Sequence, residues 1–260
     1  MPPVPEARSL AVFCDFENVA LGVREAKYAQ FDMQKVLERL LAKGSIVVKK
    51  AYCDWDRYKE FKVAMHGASF ELIEIPHVRQ SGKNSADIRM VVDALDLCYT
   101  KEHVDTFVIV SGDSDFSPLV SKLRENAKTV IGVGVKNSSS DLLINNCDEF
   151  IYYDDLVRQD EQKRRAAKKR REAAPAGEDK KQEAFDVVLE TLNALIAERG
   201  AEEKIWGSMV KQALKRRKPG FNESYYGFRA FSDLLEEMQQ KGLVKLDPDE
   251  KSGGYLIRPA

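Results

Sequence analysis

From residue 10 to residue 155, short apolar runs alternate with stretches whose apolar positions recur at helical spacing. LAVFC (10–14) reads as a buried strand. FDMQKVLERLLAK (31–43) puts Met33, Val36, Leu37 and Leu40 on one face, with Gly44 as its stop. The β-branched run 46–53 predicts a second strand, 57–66 a helix, and 70–75 a strand ended by Pro76. ADIRMVVDALDLCY (86–99) predicts a helix and TFVIV (106–110) a fully buried strand. Residues 117–126 predict a helix with Pro118 in its first turn, where proline is tolerated. Strands at 129–135 and 150–153 complete the set. Alternating elements of this kind, with nearly continuous apolar strands, predict an α/β domain over 8–155: a Rossmann-like parallel sheet flanked by helices.

The pattern then changes twice. Residues 156–184 are almost free of large apolar side chains and include KRRAAKKRR, a run of good helix formers; they predict a basic, partly helical linker broken near Pro175 and Gly177. From 185 to 260 the apolar period returns. Helices are predicted over 185–197, 205–217 and 224–241, followed by LVKL and GYLI as a hairpin around Asp-Pro-Asp. Three helices and a two-stranded wing make a small winged-helix-like α+β domain, a layout often used on nucleic acid.

Charge sharpens this division. Residues 1–155 hold 19 Lys/Arg against 24 Asp/Glu, and residues 156–260 hold 22 against 18. An acidic half suits cations and a basic half suits a polyanion. Cys14, Cys53, Cys98 and Cys147 are widely spaced and form no CxxC, and the three histidines form no metal-binding pattern with them. Unpaired thiols suit a reducing cytoplasm. MPPVPEARSL has no signal-peptide core, and no apolar run approaches the ~20 residues of a membrane helix. The expectation is a cytoplasmic protein with no membrane partner.

Strands that end in acids carry the candidate chemistry. Asp15 ends the first strand, and Asn18 follows within AVFCDFENVA. Asp113 and Asp115 end the strand 106–110 in FVIVSGDSDF, and Asp87 opens the helix 86–99. In doubly wound sheets, sites form beyond the carboxyl ends of the strands where strand order reverses. Right-handed crossovers allow the first and fourth strands to be neighbours there. Carboxylates gathered in one pocket repel unless a cation is present or some are protonated. Oxygen ligands suit Mg²⁺ or Mn²⁺, so Asp15, Asp87 and Asp113 are candidate ligands. Asp115 is a ligand, a water-orienting group or a helix cap on this reading. Asn18 is placed to hold a ligand carboxylate or the scissile phosphate. Capping alone also accounts for each aspartate singly, but capping does not require all of them to meet at one edge.

CDFEN, KNSADIRMVVDAL, VIVSGDSDFSPLV and GVGVKNSSSDLLINNCDEFIYYDDL together resemble the NYN domain of the LabA-like branch, in the PIN-like nuclease superfamily. The resemblance covers about residues 8–155. The family's D-x-x-N falls on Asp15 and Asn18. Its K-[GN]-x-D falls on Lys83, Asn84 and Asp87, with one extra residue in the spacing. Its S-G-D-x-D-[FY] falls on Ser111, Gly112, Asp113, Asp115 and Phe116. The resemblance implies a PIN-like fold and a metal-dependent ribonuclease with Asp15, Asn18, Asp87, Asp113 and Asp115 catalytic. It implies that Asp15, Asp87, Asp113 and Asp115 hold Mg²⁺ or Mn²⁺. Lys83, Asn84, Ser111 and Lys136 are then placed to meet RNA.

YYGFRAFSDLLEEMQQKGLVKL resembles the LOTUS (OST-HTH) module, a winged-helix-like RNA binder that also takes protein partners. Lys211, Lys215, Arg216, Arg217 and Lys218 precede it as candidate phosphate contacts on single-stranded or structured RNA. Phe221, Phe228 and Phe231 are expected in its core. Two rivals remain. An RNA-binding or regulatory adaptor with a slow or inactive nuclease domain fits the same sequence. A phosphatase using a phospho-aspartate needs D-x-D after the first strand, and D-F-E-N argues against it.

Overall fold

The computed structural model describes residues 8–28, 30–75, 85–162, 179–200, 203–249 and 254–260. Its sheet has six strands: β1 (Arg8–Asp15), β2 (Gly44–Cys53), β3 (Glu71–Glu74), β4 (Thr106–Val110), β5 (Thr129–Gly134) and β6 (Glu149–Tyr152), in the order β3-β2-β1-β4-β5-β6. Burial explains the two central strands. Ala11, Val12, Phe13 and Cys14 of β1 and Phe107 through Val110 of β4 are all fully buried, which only a strand covered on both faces can satisfy. These strands pair in parallel with Cys14 opposite Val110. Asp15 and Ser111 therefore leave the sheet side by side, at the point where strand order reverses.

The helices follow from the same pattern, with some shifts. They are α1 (Phe16–Glu25), α2 (Met33–Lys43), α3 (Lys59–Gly67), α4 (Ser85–Thr100), α5 (Ser117–Glu125), α6 (Asp141–Asn146) and α7, described over 153–162. Met90, Ala94 and Cys98 of α4 and Leu119, Val120 and Leu123 of α5 form a core with Phe13 and Phe107, whose rings stack at 6.0 Å. Truncating a buried side chain of this kind typically costs about 2–5 kcal/mol. That core holds α4 against the sheet and fixes where its first turn stands.

Gly44 does not stop α2 with a turn; it begins β2 directly after Lys43. The helix α1 is absent from the sequence-based expectation. Gly22, Val19 and Val23 lower its intrinsic helical preference, yet packing requires it. Val19 and Val23 are buried, and a Cβ at Gly22 would lie 2.3 Å from the Ser138 hydroxyl.

A second compact unit contains α8 (Asp179–Arg199), α9 (Gly207–Arg217), α10 (Phe231–Gln240), β7 (Val244–Asp249) and β8 (Gly254–Pro259). The strands pair antiparallel, and Trp206 bridges to Leu256 beside them. Phe185, Leu192, Val210, Leu234, Met238 and Ile257 are among its core residues. Phe228 and Phe231 are buried there as expected, and Phe221 packs partly buried against them. The helix expected over 224–241 is split. A 3₁₀ turn at Glu223–Tyr226 ends at Gly227, whose φ of +88° suits glycine, and α10 begins only at Phe231. The expected linker 156–184 is helical at both described ends, since α7 reaches 162 and α8 starts at 179. Its basic run, 163–171, lies outside the described residues. No described helix is long and apolar enough to cross a membrane.

Candidate active site

Asp15 is where β1 becomes α1. Its extended backbone makes it the helix N-cap, and one carboxylate oxygen accepts from the Asn18 amide at 3.3 Å. The other accepts from the Ser111 hydroxyl at 3.1 Å, across the β1–β4 junction. The residue is only 8% exposed. Burial pushes its carboxyl up to about 7, and the charge of Asp87 adds to this; the Asn18 and Ser111 hydrogen bonds pull the other way.

The turn after β4 is tied to Asp15 by a chain of short contacts. The Asn18 side-chain oxygen accepts from the Gly112 amide at 2.8 Å, so one residue binds both halves of the switch point. The Asp113 amide donates to the Ser111 hydroxyl at 3.2 Å. Asp113 then caps the 3₁₀ turn Ser114–Phe116, accepting from the Asp115 amide at 3.0 Å. Thus capping and site-building coincide at Asp113. Gly112 is required sterically: a Cβ there would lie 2.4 Å from the Ser138 carbonyl oxygen. The Ser140 amide donates to the Gly112 carbonyl at 2.9 Å, which locks the loop after β5 onto the same turn.

Asp87 stands in the first turn of α4, half-buried. Burial again leads, followed by the charges of Asp113, Asp115 and Glu17, and together they raise its carboxyl to about 6. Asp15, Asp87, Asp113 and Asp115 are therefore electrostatic neighbours at one edge of the sheet. Asp115 is exposed, beside the half-buried Asp113. Among the described residues, no group of three or more His, Cys, Asp or Glu side chains stands at metal-holding distance. The carboxylates share a mouth without forming a closed cage. Their chemistry still fits a divalent hard cation, because all are oxygen donors and two resist ionising beside each other.

The other expected contacts divide clearly. Ser111 is fully buried and spends its hydroxyl on Asp15, so it is a positioning residue and not an RNA contact. Lys136 is exposed just beyond β5. Lys83 and Asn84 lie outside the described residues. In the second unit, Lys215 and Lys218 are exposed, and Lys211 pairs with Glu223 at 2.9 Å. Arg216 is half-buried, with desolvation lowering its proton affinity. Arg217 must be reassigned. Its side chain is 4% exposed, pairs with Glu190 at 2.8 Å and donates to the Thr191 hydroxyl at 3.1 Å, so it holds α9 to α8. Glu17 joins the acidic edge without belonging to any of the motifs: its charge reaches Asp87 and its carboxylate meets Arg57 at 3.1 Å. Its position two residues after Asp15, inside an unforeseen helix, was the available signal.

The chain matches the NYN domain family over residues 9–154. It is 30% identical over 125 residues to an uncharacterized protein of Methanocaldococcus jannaschii, covering 48% of this chain and 49% of that protein. It is 27% identical over 154 residues to the meiosis regulator and mRNA stability factor 1 of Xenopus tropicalis, covering 59% of this chain and 9% of that protein. The chain thus spans about half, or far less, of the length of these relatives. A solved protein of unknown function from Vibrio parahaemolyticus shares its fold with a TM-score of 0.52 and 28% identity, over 59% of this chain and 97% of that one. With the motif residues of β1, α4 and β4 brought to one sheet edge and more than half of the sequence matched, this protein belongs to the NYN domain family, within the PIN-like nuclease superfamily.

Proposed function

We propose that this protein is a metal-dependent ribonuclease that hydrolyses RNA phosphodiester bonds, as an endonuclease, at the Asp15–Asp87–Asp113–Asp115 mouth. One observation carries the reading: carboxylates from three separate elements share that edge, and burial with mutual repulsion raises two of them. A structural role does not require such a costly arrangement, whereas cation binding relieves it. Asp15, Asp87 and Asp113 would hold Mg²⁺ or Mn²⁺, with Asp115 joining directly or through water. When bound, such an ion stabilises charge on the phosphodiester and lowers the pKa of its water. Ser111 and the Asn18 amide orient Asp15. The Asn18 side chain fixes the turn that carries Asp113. Asp115, which is exposed, would join the ligand set or align the attacking water.

The second unit would hold RNA through Lys211, Lys215 and Lys218 and raise the local substrate concentration. Its LOTUS-like sequence also suits a protein partner. The unpaired cysteines are consistent with a reducing cytoplasm. A second reading, an RNA-binding adaptor with a slow nuclease domain, draws on the lack of a preformed cage among the described residues.

Incubation of the protein with labelled single-stranded and structured RNA, in Mn²⁺, Mg²⁺ or EDTA and beside Asp113→Asn, separates these readings. The expected result is cleavage that needs the ion and is lost in the variant. Cleavage surviving both EDTA and Asp113→Asn sinks the metal-nuclease reading, and tight binding without cleavage favours the adaptor.

A further inference from the structure

The turn 54–58 follows β2, the neighbour of β1, and so emerges at the same carboxyl edge as Asp15. It is built to be rigid. Trp55 is buried, and its indole N–H donates to the Ile73 carbonyl at 3.2 Å while its amide donates to Glu74 at 2.9 Å. Both Trp55 and Tyr58 pack on Phe16, at 5.0 and 5.7 Å between rings, and Phe16 directly follows Asp15. The Arg57 amide closes the turn onto the Asp54 carbonyl at 3.0 Å. Arg57 is thus displayed from a fixed platform anchored beside the first catalytic carboxylate.

Among the described residues its guanidinium has no structural duty to match that platform. It meets Glu17, in the first turn of α1, through one contact at 3.1 Å, with the two side chains 51% and 35% exposed. An exposed pair of this kind contributes little to stability. One contact also leaves most of a planar, five-donor fork open, and that fork matches a phosphate. Acids dominate the strand ends here: Asp15, Glu17, Asp54, Asp56 and Asp113 follow the strands at this edge, with Lys59 and Lys62 set against Asp56 at 3.7 and 3.9 Å. An incoming polyanion is repelled except where a cation interrupts that field.

We propose that Arg57 is a phosphate clamp: it rests on Glu17 in the free protein and transfers to a backbone phosphate flanking the scissile bond when RNA binds. Glu17 is then a built-in competitor for the site that RNA must take. The proposal rests on the ribonuclease reading for its substrate, and it adds a binding residue on the β2 side of the mouth.

The test is equilibrium binding of labelled single-stranded RNA to the full chain in Mn²⁺, with Asp113→Asn as a common background to prevent cleavage. Arg57→Ala should weaken binding about tenfold and reduce the salt dependence by about 0.7 in log–log slope. Arg57→Lys should restore the slope but only part of the affinity. Glu17→Gln should tighten binding by up to about fivefold, and that gain should vanish when Arg57→Ala is also present. Thermal unfolding of each variant confirms that it is folded. Unchanged affinity and slope in Arg57→Ala, or a Glu17→Gln gain that persists in full without Arg57, overturns the clamp. Absence of cleavage by the wild-type chain counts against the ribonuclease reading alone, because the binding comparison does not depend on turnover.

Discussion

Asp15→Asn should inactivate the protein and, in the metal-free state, make it more stable. The Asp15 carboxyl is raised from 3.8 to about 7, chiefly by burial. At ~1.36 kcal/mol per pH unit, holding it ionised in the native state costs roughly 4 kcal/mol above about pH 7. The sign follows from proton counting. Between the unfolded and folded values the native state binds more protons, so stability falls as pH rises through that window. At about pH 5 the cost is only ~1.6 kcal/mol, because the native carboxyl is then mostly protonated. Asparagine keeps the oxygen that accepts from the Asn18 amide, and its amino group can donate to the Ser111 hydroxyl. The variant should therefore gain about 2–4 kcal/mol at about pH 8 and much less at about pH 5. Asp87 shares the titration, so the wild-type transition belongs to the pair. Urea unfolding in EDTA at both pH values measures the difference. Adding Mn²⁺ should restore stability to the wild type and not to the variant, by the ordinary linkage of binding to folding. A variant less stable at high pH in EDTA, or a difference flat with pH, refutes the account of Asp15 as a strained buried anion.

Other outcomes follow from the same geometry. Mn²⁺ affinity measured by calorimetry should fall at least tenfold as pH drops from about 7 to about 5, because Asp15 and Asp87 must release protons to bind it; a flat profile would remove them from the ligand set. Gly112→Ala should cost about 1–3 kcal/mol in unfolding free energy and impair cleavage more than RNA binding, since the added Cβ meets the Ser138 carbonyl within the turn that carries Asp113. Arg217→Ala should lower stability by about 2–4 kcal/mol, since it strips Glu190 of its buried partner. Lys215→Glu should change stability by less than about 0.5 kcal/mol yet weaken RNA affinity, as filter binding would show. Equal RNA effects from Arg217→Ala and Lys215→Glu, after correction for unfolding, would undo the distinction between buried and exposed cations on α9.

What was legible in the chain depended on whether one physical constraint dominated a segment. The runs LAVFC and TFVIV suited strands buried on both faces, so the sequence already allowed the adjacency and the meeting of Asp15 with the Asp113 turn that the structure shows. The helix α1 was not legible, because Gly22, Val19 and Val23 weaken its intrinsic preference and obscure the local cap at Asp15. Its glycine and valines suit a loop or strand, and it forms because Asp15 caps it and the Ser138 loop needs the space left by Gly22. Missing that helix also hid Glu17, whose direction depends on helical rather than strand geometry. The same limit misplaced Ser111 and Arg217. Each belongs to a motif or basic run that reads as ligand contact, and only tertiary burial shows that the Ser111 hydroxyl and the terminal guanidinium nitrogens of Arg217 are engaged within the fold. Asp113 shows the opposite case. Its spacing admitted both a helix cap and a catalytic acid, and the structure shows the cap to be compatible with the proposed acid: the carboxylate that caps the 3₁₀ turn is held at the edge shared with Asp15 and Asp87. A residue whose function depends on exact aim is well served by a local hydrogen bond that sets the aim before any ligand arrives.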